Sequence, residues 1–255
     1  MQTKNSKNLD TSNFIPSLFL IAYLCLGFVP NFEAVDKIAP QWLLMSLLNT
    51  FSLGYIIYFR NQLSIRITHT LSSALSYTYI GFIIWGAFSY FYAINSTEVL
   101  VNITRQVNVL MMFIVMGIFI YNFKKKKTLA SYVIAAILSI EVYAVLNEAL
   151  LMINTNGFIS AGNLKGVTAN RNITAFSIAI KIPFVLFLIY KLSKPLFKIG
   201  LSGLVMLSIL CLSMVQSRAS FLALGFTFLS FLVLCIALYL HDKNKKHLYQ
   251  FAYFL

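Results

Sequence analysis

Of the 255 residues, 59% are hydrophobic and only 11% are charged, and the mean hydropathy is +0.80. That leaves too little polar sequence to cover a water-soluble domain, so lipid is the solvent for most of this chain. The net charge of +13 would point a soluble protein toward nucleic acid, but the placement of the cations, taken up below, argues for membrane anchoring and against nucleic acid.

Eight apolar runs follow one another with polar punctuation between them, each near the ~20 residues that cross a ~30 Å hydrocarbon core. Their expected limits are Phe14–Val29, Trp42–Phe59, Leu71–Tyr92, Val107–Phe123, Thr128–Ile153, Ile173–Tyr190, Ile199–Val215 and Ala219–Leu240. The first follows "MQTKNSKNLDTSN" and no small-residue cleavage pattern comes after it, which predicts a retained span and not a signal peptide. The runs are continuous where β-barrel strands would alternate. The expected fold is therefore all-α, a polytopic integral membrane helical bundle of about eight transmembrane helices forming one transmembrane domain. Cys25, Cys211 and Cys235 all fall in apolar runs at no metal-like spacing, so neither a disulfide framework nor a zinc site is indicated.

An N-terminus on the cytoplasmic side puts fourteen of the twenty Lys and Arg residues inside: Lys4, Lys7, Arg60, Arg66, Lys124–Lys127, Lys191, Lys194, Lys198, Lys243, Lys245 and Lys246. Five lie outside (Lys37, Arg105, Lys165, Arg171, Arg218), and Lys181 lies within a span. This asymmetry orients the chain N-terminus in. The run "KKKK" reads as a topology anchor beside anionic lipid.

The outer cations carry information because the orientation rule does not favour their position. Arg105 closes the loop "AINSTEVLVNITR", Lys165 and Arg171 lie in "NTNGFISAGNLKGVTANRN", and Arg218 lies in the very short turn between the last two spans. Arginine in or near hydrocarbon costs at least about 2.5 kcal/mol, so it faces a bundle interior, an aqueous cavity or a partner. For Arg218 the plain reading is snorkelling to headgroups. The functional reading is a receptor for an anionic group, with a planar fork suited to phosphate oxygens and with Gln216, Ser217 and Ser220 beside it. The Asn154–Asn172 stretch reads equally as a solvated connector or as a binding loop in which Asn170, Arg171 and Asn172 cluster before a span that Asn170 or Thr168 could cap. Glu141 and Glu148 share a face of the fifth span, and Glu141 lies at the same depth as Lys181 in the sixth. That match predicts a packing ion pair in preference to a proton relay.

The segments "GVTANRNITAFSIAIKIPFVLFL" and "LSMVQSRASFLALGFTFL" resemble the O-antigen ligase and polymerase family of bacterial membrane glycosyltransferases. The matching positions are Gly166, Asn170, Asn172, Pro183, Ser217, Arg218 and Ala219. Their order, spacing and shared outer location carry the resemblance over about the last hundred residues, and the rest of the chain matches by topology only. The resemblance implies a metal-independent enzyme of the bacterial inner membrane. It would take a glycan from an undecaprenyl diphosphate carrier and move it to an acceptor such as the lipid A core or a growing polymer, with Arg218 holding the diphosphate. The other expected binding residues are Arg171, Asn170, Asn172, Lys165, Arg105 and Ser217, and no cofactor is expected.

Members of that family carry further spans and an outer loop with a histidine that assists the acceptor hydroxyl. Here His69, His241 and His247 all fall on the expected inner face, which predicts a truncated or split member that binds carrier without transferring glycan alone. Of the outer carboxylates, Glu98 is expected beside Arg105 and hence weakly basic, which leaves Glu148 as the reserve candidate for a base. Two other functions compete: a transporter of polysaccharide or lipid-linked oligosaccharide, which Pro183 near Lys181 keeps open, and a noncatalytic membrane subunit.

Overall fold

The computed structural model describes residues 6–30, 32–33, 36, 38–121, 124–160, 162–168 and 170–243. Lys4, Lys37, Lys245, Lys246 and His247 lie outside the described residues, as do the side chains of Lys7 and Lys124–Lys126. The chain divides into two compact units, residues 1–130 and 131–255.

The first unit holds α1 (Ser6–Leu24), α2 (Ala39–Tyr58), α3 (Arg60–Leu71), α4 (Ala74–Phe88), α5 (Ser96–Ile120) and the start of α6 (Lys124–Asn156). The second holds the rest of α6, then α7 (Arg171–Lys191), α8 (Pro195–Val215) and α9 (Arg218–Asp242). Among the described residues, five helices are long and apolar enough to cross a membrane: α5, α6 from Lys127, α7, α8, and α9 as far as His241. A sixth span results if α2 and α3, bent by 116° at Phe59, are counted as one broken crossing. The apolar part of α1, Phe14–Leu24, and the 15 residues of α4 fall short of the ~20 that a straight crossing needs. Among the described residues the protein is thus helical, with five helices of membrane-crossing length and a sixth crossing if the bent pair is one span.

Two elements depart from the sequence expectation. α5 begins at Ser96, eleven residues before the expected Val107, because Asn95 caps it: its Oδ1 accepts the Glu98 backbone N–H at 3.2 Å. Arg105 therefore sits on a helix and not in a loop. α3 occupies sequence read as an inner connector. Its charges masked a helical period in which Leu63, Ile67 and Thr70 face inward while Arg60 stays exposed.

In the first unit, Phe119 is fully buried and stacks on Phe19 at 5.8 Å while meeting the edge of Tyr55 at 5.9 Å. Apolar burial gives little driving force between helices in lipid, so polar links count for more. Tyr23 of α1 donates to Asn49 Oδ1 of α2 at 2.8 Å, and the Asn49 amide donates to the carbonyl and the Oδ1 of Asn108 on α5, both at 3.0 Å. Asn108 in turn donates to Ser46 Oγ at 3.0 Å, and Ser46 to the Trp42 carbonyl. Every member of this chain has a partner, which a polar group buried among helices requires.

In the second unit α7 is the central element. Ala175, Ile178, Ala179, Ile182, Val185, Leu186, Leu188 and Ile189 are all buried, packed with residues of α6, α8 and α9. Pro183 sits inside α7 without ending it, although it leaves the Ala179 carbonyl without its helical donor.

Candidate functional site

Glu141 meets Lys181 and Glu148 meets Gly166 near the start of α7, so α6 and α7 run antiparallel. The segment 157–170 and the two-residue turn Gln216–Ser217 consequently share one end of the second unit.

The 157–170 segment is tied down at its far side. Glu148 Oε2 accepts the backbone N–H groups of Lys165 at 2.9 Å and Gly166 at 2.8 Å. Gly166 has φ +55°, and a Cβ there would lie 3.0 Å from both the Thr174 and Val145 methyls, so any other residue is strained and crowded at this position. Thr174, buried at the start of α7, donates to the Lys165 carbonyl and lies 2.6 Å from the Thr168 hydroxyl. With one proton per hydroxyl, the consistent chain runs from Asn170 N–H to Thr168 Oγ1, to Thr174 Oγ1, to the Lys165 carbonyl. Asn170 caps α7, its Oδ1 accepting the Asn172 N–H at 2.9 Å. Glu148 thus holds the backbone of the segment, a role in positioning, and its Oε2 is committed to that.

Lys165, Asn170, Arg171 and Asn172 are all exposed, and the Arg171 guanidinium reaches back to within 3.9 Å of where a Gly162 Cβ would stand. Arg218 is also exposed, as the first residue of α9. Among the described residues, no carboxylate forms an ion pair with Lys165, Arg171 or Arg218. The turn before Arg218 is tight: Gln216 closes α8 in the left-handed region at φ +56°, and its N–H bonds the Leu212 carbonyl. Ser217 and Ser220 are buried, and Ser220 Oγ donates to Ser217 Oγ at 3.1 Å. Their hydroxyls face one another, away from the solvent that Arg218 meets.

Arg105 belongs to the first unit and has a carboxylate partner, which sequence reasoning missed. Its guanidinium donates to Asp36 at 3.1 Å and lies 5.7 Å from the Trp42 ring centroid. Glu98 is in the first turn of α5 and is not the acid that Arg105 engages.

One full turn or more below the loop clamp, about 10 Å along α6, Lys181 Nζ lies 2.9 Å from each oxygen of Glu141. Ser177 completes the group. Its hydroxyl donates to Glu141 Oε1 at 2.8 Å and accepts from Lys181, which also bonds the Ser177 carbonyl. Only 9% of the Glu141 side chain and 16% of the Lys181 side chain is exposed. Ser177 was not singled out from the sequence, although its place four residues before Lys181 was the available signal. Among the described residues, no three His, Cys, Asp or Glu side chains gather as a metal site would need.

Fold and composition together define a multi-pass α-helical membrane protein. Compared with known proteins, the chain matches no family model, no curated sequence and no solved structure.

Proposed function

We propose that this chain is an O-antigen ligase- or polymerase-like protein of the bacterial inner membrane. It would bind an undecaprenyl diphosphate-linked glycan at its outer face and present it to an acceptor glycan or the lipid A core. The proposal includes the eight-span topology with a cytoplasmic N-terminus, in which α1, α2 and α4 each complete a crossing with the residues that flank them. The observation that carries it is the set of exposed cations at one end of the second unit, Lys165, Arg171 and Arg218, with no carboxylate paired to them among the described residues.

The chemistry suits the assignment. Breaking a glycosyl–diphosphate bond leaves negative charge on the carrier, and guanidinium groups held in place before the reaction stabilise that charge as it forms. The Glu148 clamp and the Asn170 cap fix the backbone that presents Lys165 and Arg171, so little ordering is left for the moment of binding. Ser217 contributes as the buried residue just before α9, its hydroxyl accepting from Ser220 and so not offered to the ligand.

The test is binding of undecaprenyl diphosphate by the full chain in detergent. Loss of a charge-assisted hydrogen-bond pair is worth about 1.5–3 kcal/mol, so Arg218→Ala should weaken binding roughly tenfold to a hundredfold. Arg218→Lys keeps the charge and loses the fork, and should fall between. Equal binding by wild type and both variants would leave Arg218 as a headgroup anchor and remove the basis of the proposal.

A further inference from the structure

We propose that the cleft between the start of α2 and the polar half of α5, in the first unit, binds one uncharged sugar ring, set against Trp42 and hydrogen-bonded to both members of the Asp36–Arg105 pair. The cleft has a volume of about 310 Å³ and is lined by Asp36, Trp42, Thr104, Arg105 and Asn108. That is the small end of the range for ligand sites, which suits a single ring. From Ser96 to Asn108 α5 carries eight polar residues, and from Val109 to Ile120 it carries none. Its polar half therefore faces protein or water and not hydrocarbon.

The inventory of donors and acceptors gives the charge of the occupant. Arg105 donates to Asp36 Oδ2 at 3.1 Å, and Asp36 Oδ1 accepts the Ile38 backbone N–H at 3.1 Å. The guanidinium keeps further N–H donors, and each carboxylate oxygen keeps a lone pair. An anion would have to compete with Asp36 for the guanidinium, and a cation with Arg105 for the carboxylate. Adjacent hydroxyls need not compete: one accepts from Arg105 while its neighbour donates to Asp36, and the ion pair stays. Glu33 and Glu98, the other carboxylates described at this end of the unit, do not line the cleft.

The remaining walls fit the same occupant. The half-buried Trp42 ring supplies an apolar side whose electron-rich face attracts the C–H groups of a sugar. Asn108, held by Ser46 and Asn49, keeps one amide N–H, and Thr104 Oγ1, which donates to the Leu100 carbonyl at 2.9 Å, can accept. These groups are fixed by contacts within the protein, so little ordering is left for binding. The site shares no residue with Lys165, Arg171 and Arg218, and it stands whether or not those bind a diphosphate.

The experiment is saturation-transfer NMR of the full chain in lipid nanodiscs, with the methyl glycosides of glucose, galactose, mannose and N-acetylglucosamine as probes and empty nanodiscs as the blank. A hydrogen bond to a charged group exceeds its neutral counterpart by about fivefold in affinity, so Arg105→Gln and Asp36→Asn should each weaken the best probe by about that factor. Both side chains are partly exposed, and such a pair adds little to stability, so both variants should fold. Trp42→Ala should weaken the probe severalfold, with Trp42→Leu as the substitute if that variant fails to fold. Maltotriose in solution and glucosyl diacylglycerol in the disc serve as competitors: displacement by the first identifies a glycan chain as the source of the ring, and displacement by the second alone a glycolipid headgroup. Tighter binding in Asp36→Asn would mark an anion site and tighter binding in Arg105→Gln a cation site. Either gain, unchanged binding without the Trp42 ring, or no transfer to any of the glycosides above the blank would overturn the proposal.

Discussion

Lys181 is tolerable inside α7 because Glu141 and Ser177 satisfy its ammonium within one compact group. Removing one member leaves a buried charge unpaired, whereas removing both leaves none. Lys181→Met should therefore cost about 3 kcal/mol, and adding Glu141→Gln should return part of it. Thermal unfolding of the two single variants and the double variant in detergent measures this, and strictly additive losses would contradict the coupling. Glu148 works differently, since its partners are two backbone N–H groups. Glu148→Ala should speed hydrogen exchange at Lys165 and Gly166, and Gly166→Ala, forced into the left-handed region, should destabilise by about 1–2 kcal/mol. Unchanged exchange in Glu148→Ala would mean that the carboxylate does not hold the segment. Depth counted along two helices was enough to bring Glu141 opposite Lys181. The two backbone bonds to Glu148 were not legible, because main-chain donors leave no trace in residue identity.

At the level of elements, long continuous apolar runs announced α6 to α9 within a few residues of their observed limits. Burial around α7 explains why: an element apolar over most of its surface has few polar residues to blur its limits. α3 escaped notice for the opposite reason, since a short helix with Arg60, Arg66 and His69 reads as a loop until Leu63, Ile67 and Thr70 are seen to share a buried face. Its contact with α5 is close at Gly117. Gly117→Val should drive the two helices apart and cost about 1–3 kcal/mol, and Thr70→Ala in the same chain should recover part of the loss by removing the opposed methyl. A double variant no better than Gly117→Val would show that the contact is not what limits the substitution.

For the whole molecule the testable statement is topology. Cysteines introduced at Asn95 and Asn156 should react with an impermeant reagent added from outside, and one at Lys125 should not, as the fourteen-to-five cation asymmetry requires. The reverse pattern would invert the proposed orientation and put Lys165, Arg171 and Arg218 on the cytoplasmic side. The class of protein was decided by the sequence by itself: 59% hydrophobic residues in continuous runs permit helices in lipid and little else. So was the presence of cations at loop and span ends, because charge is carried by residue identity. Only the tertiary structure decided which cations have partners. Arg105 has Asp36, distant in sequence by 69 residues, while Lys165, Arg171 and Arg218 have no acid among the described residues. Ion pairing depends on side chains meeting within about 4 Å, and that proximity arises from how helices cross and where loops are clamped, which no spacing along the chain specifies.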